Sequence, residues 1–100
     1  DASVNCILAW CRKLEVLDIR NCHKVTDGAF RGIGDCPDLK VLKVGLCTKL
    51  TVGGIGLVLG SCEALQILDA RCCPNVAMWR CDRAGLQFPK SCKFFSNGDP

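Results

Sequence analysis

Ten cysteines and a single histidine are the residues here best suited to chemistry. A thiolate can act as a nucleophile when a base stands beside it, and thiolates with imidazoles can hold zinc. His23 directly follows Cys22. The pair could be a thiol–imidazole nucleophile, but the periodicity described below turns Cys22 toward the core and offers nothing to orient the imidazole. Asp18 and Asp69 share a predicted face, yet they stand two sequence units apart with Lys43 between them. They do not form a carboxylate dyad, and no catalytic residue is expected. Structural zinc sites usually bring ligands together in short Cys-x-x-Cys steps. No two cysteines here enclose two or three residues, and Cys6 and Cys11 enclose four. Cys72, Cys73, Cys81 and Cys92 could converge near the C-terminus, but their spacing matches no recognised zinc pattern, so no metal ligand is expected. The glycine run from Gly53 to Gly60 lacks both the GK[ST] ending and the G-x-G-x-x-G spacing of phosphate loops. No cofactor is expected.

The cysteines make sense once their spacing is counted. Cys11, Cys36 and Cys62 stand 25 and 26 residues apart, and so do Cys22, Cys47 and Cys73. Leu14, Leu39 and Leu65 keep the same intervals, as do Leu17, Leu42 and Leu68. Six cysteines are therefore repeat positions. A short cysteine-rich chain is ordinarily a disulfide scaffold. The periodicity argues instead for reduced thiols acting as small buried hydrophobes, with disulfides or metal ligation as the alternatives. A period of 20–29 residues is that of leucine-rich repeats.

The elements that such a unit must build follow from its pattern. Leu17 and Ile19, Leu42 and Val44, and Leu68 and Ala70 alternate with outward residues, the period of two that marks a strand. Strands one unit apart can stack in parallel. Thr26 and Thr51 can cap the helical segments that follow. Phe30, Ile33 and Cys36 form one apolar stripe, and Ile55, Val58, Leu59 and Cys62 the next. The expected fold is an α/β leucine-rich-repeat solenoid. Short parallel strands line its concave side and helices its outside, in about three repeats with a C-terminal cap. Gly53, Gly54, Gly56 and Gly60 each weaken the second helix by about 1 kcal/mol relative to alanine, so that helix is expected to be short or irregular.

The repeats cover residues 1–76, the first of them partial, and residues 77–100 form cap and tail. Residues 1–10 read as the helical half of a preceding unit, because Leu8 matches Ile33 one period earlier. The chain therefore reads as a piece of a longer protein. The period breaks after Val76, with no helical stripe in 77–88. Met78, Trp79, Leu86, Phe88, Phe94 and Phe95 are expected to cover the last core layer, a docking peptide being the alternative, and residues 96–100 read as turn and end. Trp10 and Trp79 are expected to pack at the two ends, with exposed anchors as the alternative.

The unit Cys-x-x-Leu-x-x-Leu-x-Ile-x-x-Cys-x-x-Val-Thr-Asp, best seen in Cys11, Leu14, Leu17, Ile19, Cys22, Val25, Thr26 and Asp27, resembles the cysteine-containing leucine-rich repeats. Residues 36–59 match it well, departing at Val52 and Gly53. Residues 62–76 match it only in the strand half. Such repeats are similar to the substrate-recruiting half of F-box/leucine-rich-repeat proteins. The resemblance implies a protein-binding module that recognises substrates for an SCF-type E3 ubiquitin ligase, hence a role in ubiquitin-dependent degradation. Adaptor and cullin would be engaged only through an F-box, which this chain lacks. The other reading is a leucine-rich-repeat scaffold or adaptor unrelated to ubiquitin.

The concave face supplies the candidate binding residues. Val16, Val41 and Ile67 form an apolar column beside Asp18, Lys43 and Asp69, and Arg20, Gly45 and Arg71 form a third. Arg20 and Arg71 are the expected anchors, since arginine is enriched at interface hot spots. Residues 1–70 carry eight basic and eight acidic side chains, so the net charge of +3 lies wholly in residues 71–100. That segment reads as a solvated basic tail, with an acidic partner surface as the alternative. The charge is too mild to imply nucleic acid. The longest uncharged stretch, 50–62, falls short of the roughly 20 residues that span a bilayer. A cytoplasmic or nuclear protein, free of membrane, is expected.

Overall fold

A computed structural model of the protein describes residues 2–96. The elements run in the order α1 (Ala2–Trp10), β1 (Val16–Asp18), β2 (Val41–Lys43), α2 (Val52–Ser61), β3 (Ile67–Ala70), α3 (Met78–Arg83) and β4 (Lys93–Ser96). Short 3₁₀ turns occupy Asp27–Phe30, Ile33–Asp35 and Pro74–Val76. The fold is mixed α/β around one four-stranded, all-parallel sheet in the order β1-β2-β3-β4.

The sequence period sets the strand register. Val16 pairs with Val41 and Val41 with Ile67, while Leu17, Leu42 and Leu68 stand in one row. Leu42, Val44, Leu68 and Ala70 are fully buried, and Leu17 and Ile19 nearly so. Backbone bonds continue the ladder past the strands, from Ile19 N–H to Lys43 O and from Val44 N–H to Asp69 O.

The cysteines tie each unit to the one before it. The Cys47 thiol donates to Ile19 O and the Cys73 thiol to Val44 O, each at 3.1 Å. Cys36 faces Leu8 O and Cys11 O, both at 3.4 Å. A thiol is a weak donor, but it fits where a larger polar group would not. The expectation that Cys22 points into the core needs correction. Cys22 is half-buried, its thiol 3.8 Å from Arg20 O, and Cys11 is exposed. The carbonyls reached by Cys36 and Cys47 lie 25–28 residues back, farther than this chain extends behind Cys11 and Cys22. All ten cysteines are free thiols.

Helix character departs from expectation. The glycine-rich segment, expected to be irregular, is the ten-residue helix α2, whereas the segment after β1 breaks into two 3₁₀ turns. Asp27 explains part of this. Its Oδ1 accepts from Thr51 N–H at 2.9 Å, and the Thr51 hydroxyl donates to its Oδ2. Thr51 in turn caps α2 by accepting from Gly53 N–H at 3.2 Å. Gly54 makes the close approach possible: a Cβ there would lie 3.0 Å from Asp27 Cγ and 3.3 Å from its Cα. Ile55 and Val58 anchor the helix with full burial. The glycines that weaken α2 in isolation let it pack closely onto the preceding unit.

The period also continues past Val76. β4 pairs with β3 so that Leu68 meets Phe94 and Ala70 meets Ser96, again 26 residues on. Phe88 stands where Cys62 stands one unit earlier, and its ring stacks on Phe94 at 4.7 Å. Helix α3 replaces the expected irregular stretch, and Ala77 replaces the capping threonine without a side-chain cap. Both tryptophans, expected to pack at the ends, are exposed, Trp10 at 83% and Trp79 at 51%. The turn expected over 96–100 lies, beyond Ser96, outside the described residues. Among the described residues no helix is long and apolar enough to cross a membrane.

Candidate functional site

The open side of the parallel sheet brings the predicted columns together. Val16, Val41 and Ile67 lie side by side in register, Val16 exposed and the other two half-buried. Asp18, Lys43 and Asp69 form the adjacent row. Just beyond the strands, Arg20, Gly45 and Arg71 follow, and the backbone links them through Asn21 N–H to Gly45 O and Leu46 N–H to Arg71 O.

The charges pair along the chain rather than across it. Arg20 forks onto Asp18, with Nε to Oδ1 at 3.0 Å and Nη2 to Oδ2 at 2.9 Å. Arg71 does the same to Asp69, at 3.0 and 2.7 Å. Each aspartate also accepts from the backbone N–H of its arginine at 3.2 Å. The same Asp-x-Arg device thus occurs twice, with Lys43-Val44-Gly45 between. The arginine hydrogen bond is the main reason both aspartates titrate below the usual carboxylate range. A guanidinium has five N–H donors, and the fork engages only two. The remaining donors of Arg20 and Arg71 face solvent on side chains that are already held, which lowers the ordering cost of binding.

Asp69 corrects one expectation. It was expected to be an outward, solvated residue, but only 6% of it is exposed. β4 runs beside it, Phe95 is its register neighbour, and the Arg71 guanidinium lies 5.5 Å from the Phe95 ring centroid. The fourth strand, not foreseen in the sequence, makes one Asp–Arg pair more enclosed than the other.

These groups line a cavity of about 540 Å³ formed by Asp18, Arg20, Asn21, Gly45, Leu46, Asp69, Arg71 and Cys72. Gly45 is its floor. A Cβ there would stand 3.3 Å from Arg71 O and 3.6 Å from Arg20 Cγ. Asn21, Leu46 and Cys72 close the far side, and all three are left-handed, with φ of 67°, 64° and 61°. Such φ is uncommon for residues other than glycine. Sequence reasoning missed these three because nothing in their types marks a left-handed turn, although their equal spacing was visible.

The other candidate chemistry does not assemble. His23 is exposed, and Cys22 faces a carbonyl rather than the imidazole. Among the described residues no three histidine, cysteine or acidic side chains gather into a set that could hold a metal ion. Cys73 and Cys81 are buried, whereas Cys72 is exposed. Burial pushes the Cys47 and Cys62 thiols up to about 11, and it raises Cys36, Cys73 and Cys92 in the same direction. These thiols are protonated at neutral pH, which suits hydrogen-bond donors and not nucleophiles. No protein-family model matches the chain.

Proposed function

We propose that this chain is a run of cysteine-containing leucine-rich repeats, arranged as an α/β solenoid, that recognises a protein on the open face of its sheet. The repeat reading rests on the unit around Cys11–Asp27 and its 25- and 26-residue recurrence. The observation that carries the binding site is the pair of Asp-x-Arg forks around the Gly45 floor, beside the apolar row Val16, Val41 and Ile67. An apolar stripe next to pre-oriented arginines is the make-up of a protein interface, where arginine anchors carry much of the energy. Strain at Asn21, Leu46 and Cys72 supports a functional role for this edge, since unfavourable backbone conformations cluster at binding sites.

The wider role we infer from the repeat type is substrate recognition for an SCF-type E3 ubiquitin ligase in the cytoplasm or nucleus. Substrate would sit on the face formed by Val16, Asp18, Arg20, Val41, Lys43, Ile67, Asp69 and Arg71, and adaptor and cullin would be engaged through an F-box elsewhere in the gene product. The site is tested by reversing both anchors, Arg20→Glu with Arg71→Glu, in the complete gene product. Proteins captured by the wild type should be lost while far-ultraviolet circular dichroism is unchanged. Retention of every partner by a folded variant would place the binding surface elsewhere.

A further inference from the structure

A second surface lies outside the sheet face, where α3 meets the start of α2. Thr51, Val52, Asn75, Trp79, Arg80 and Arg83 wall a cavity of about 420 Å³. Trp79 is half exposed, and the guanidinium carbons of Arg80 and Arg83 lie 4.5 and 5.6 Å from its ring centroids. Cation–π attraction holds both arginines against the indole. No carboxylate lines the cavity. Among the described residues the ion pairs involve other side chains and leave Arg80 and Arg83 out. Asp27, which holds Thr51, has each of its carboxylate oxygens bonded to that residue. The two guanidiniums also lie in the segment that carries the whole net charge of the sequence.

We propose that this surface docks an acidic peptide segment of a protein partner, carboxylates on Arg80 and Arg83 and an apolar side chain in the cavity beside Trp79. Charge complementarity carries the choice. The planar guanidinium fork matches a carboxylate, and tryptophan and arginine are the residue types that dominate protein hot spots. Nucleic acid is disfavoured by number: salt-sensitive duplex binders typically make about 6–10 phosphate contacts, whereas two arginines stand here around a cavity bounded by one indole. The surface is independent of the sheet-face site and uses none of its residues.

The test begins with a random displayed peptide library selected on the intact protein. Enriched sequences should be rich in aspartate and glutamate beside an apolar residue. A synthetic peptide of the enriched sequence is then titrated into the Trp10→Phe variant, whose remaining indole is Trp79. A saturable change in fluorescence is expected, weakened about tenfold or more, roughly 1.4 kcal/mol, in Arg80→Gln/Arg83→Gln. Arg80→Lys/Arg83→Lys, which keeps the charge but not the fork, should bind between the two. The proposal is overturned if nothing is enriched, if neutral or basic peptides are enriched, or if the glutamine variant binds equally well. It is also overturned if single-stranded DNA saturates the Trp79 signal at lower concentration than the acidic peptide.

Discussion

Two alanine substitutions in one helix should have opposite signs. In an exposed helix interior, glycine to alanine normally stabilises by up to about 1 kcal/mol. Gly60, in the last turn of α2, has nothing within 4 Å of where a Cβ would stand. Gly60→Ala should therefore gain about 0.5–1 kcal/mol. At Gly54 the same methyl would overlap the Asp27 carboxylate, 3.0 Å from Cγ and 3.3 Å from the backbone Cα. Asp27 cannot retreat without releasing both Thr51 N–H and the Thr51 hydroxyl, and Thr51 caps the helix. Hydrogen bonds to a charged group contribute about 1.5–3 kcal/mol, partly offset by the gain in helix propensity. Gly54→Ala should thus destabilise by about 1–2 kcal/mol net. Urea titration followed by circular dichroism at 222 nm, roughly the wavelength of helical signal from the i to i+4 ladder, compares the midpoints directly. Equal gains from both substitutions would refute the Asp27–Thr51 clamp and the placement of α2 against the preceding unit.

Leu42 is fully buried between Leu17 and Leu68 in the sheet row, so Leu42→Ala should cost about 2–5 kcal/mol. An unchanged melting temperature would show the register to be wrong. Alkali should destabilise the reduced protein. Cys47 and Cys62 rise from an ordinary 9.0 to about 11 in the fold, so the unfolded chain loses these protons first. Their stabilisation is complete below pH 9.0 and is lost as pH rises through about 11. It amounts to roughly 3 kcal/mol per thiol. Denaturation at stepped pH under reductant checks this, and a flat profile across that window would contradict buried thiols. Leu46→Asn should stabilise by about 0.5–1 kcal/mol, because asparagine tolerates the left-handed conformation better than leucine. A loss of that size in thermal melting would show that the Leu46 side chain contributes more than its backbone costs.

What the sequence reveals of the fold follows what repeats in it. The columns Leu17–Leu42–Leu68 and Val16–Val41–Ile67 are legible because strand residues alternate with the same phase in every unit. The fourth strand is not, because Ser91 stands where Leu65 would repeat and Phe88 where Cys62 would, so the pattern fails while the register persists. Phe94, 26 residues after Leu68, was the surviving signal. Helix regularity is misjudged for a different reason: propensity counts the glycines of α2 as losses, whereas the close approach of Asp27 to Gly54 depends on the absence of a side chain. At the site, the outward position of Asp18, Arg20 and Arg71 is legible from alternation. Their i to i+2 pairing is not, because the turn that folds each arginine back onto its aspartate comes from left-handed residues of three unrelated types.

The proposed role is tested most directly by affinity purification of the complete gene product from its own cells, followed by mass spectrometry. Recovery of a ligase adaptor and a cullin is predicted, with further specific partners that disappear when Arg20 and Arg71 are both reversed to glutamate. Absence of adaptor and cullin from an intact, well-expressed bait would contradict the ubiquitin-ligase role and leave a protein-binding repeat module that serves as scaffold or adaptor.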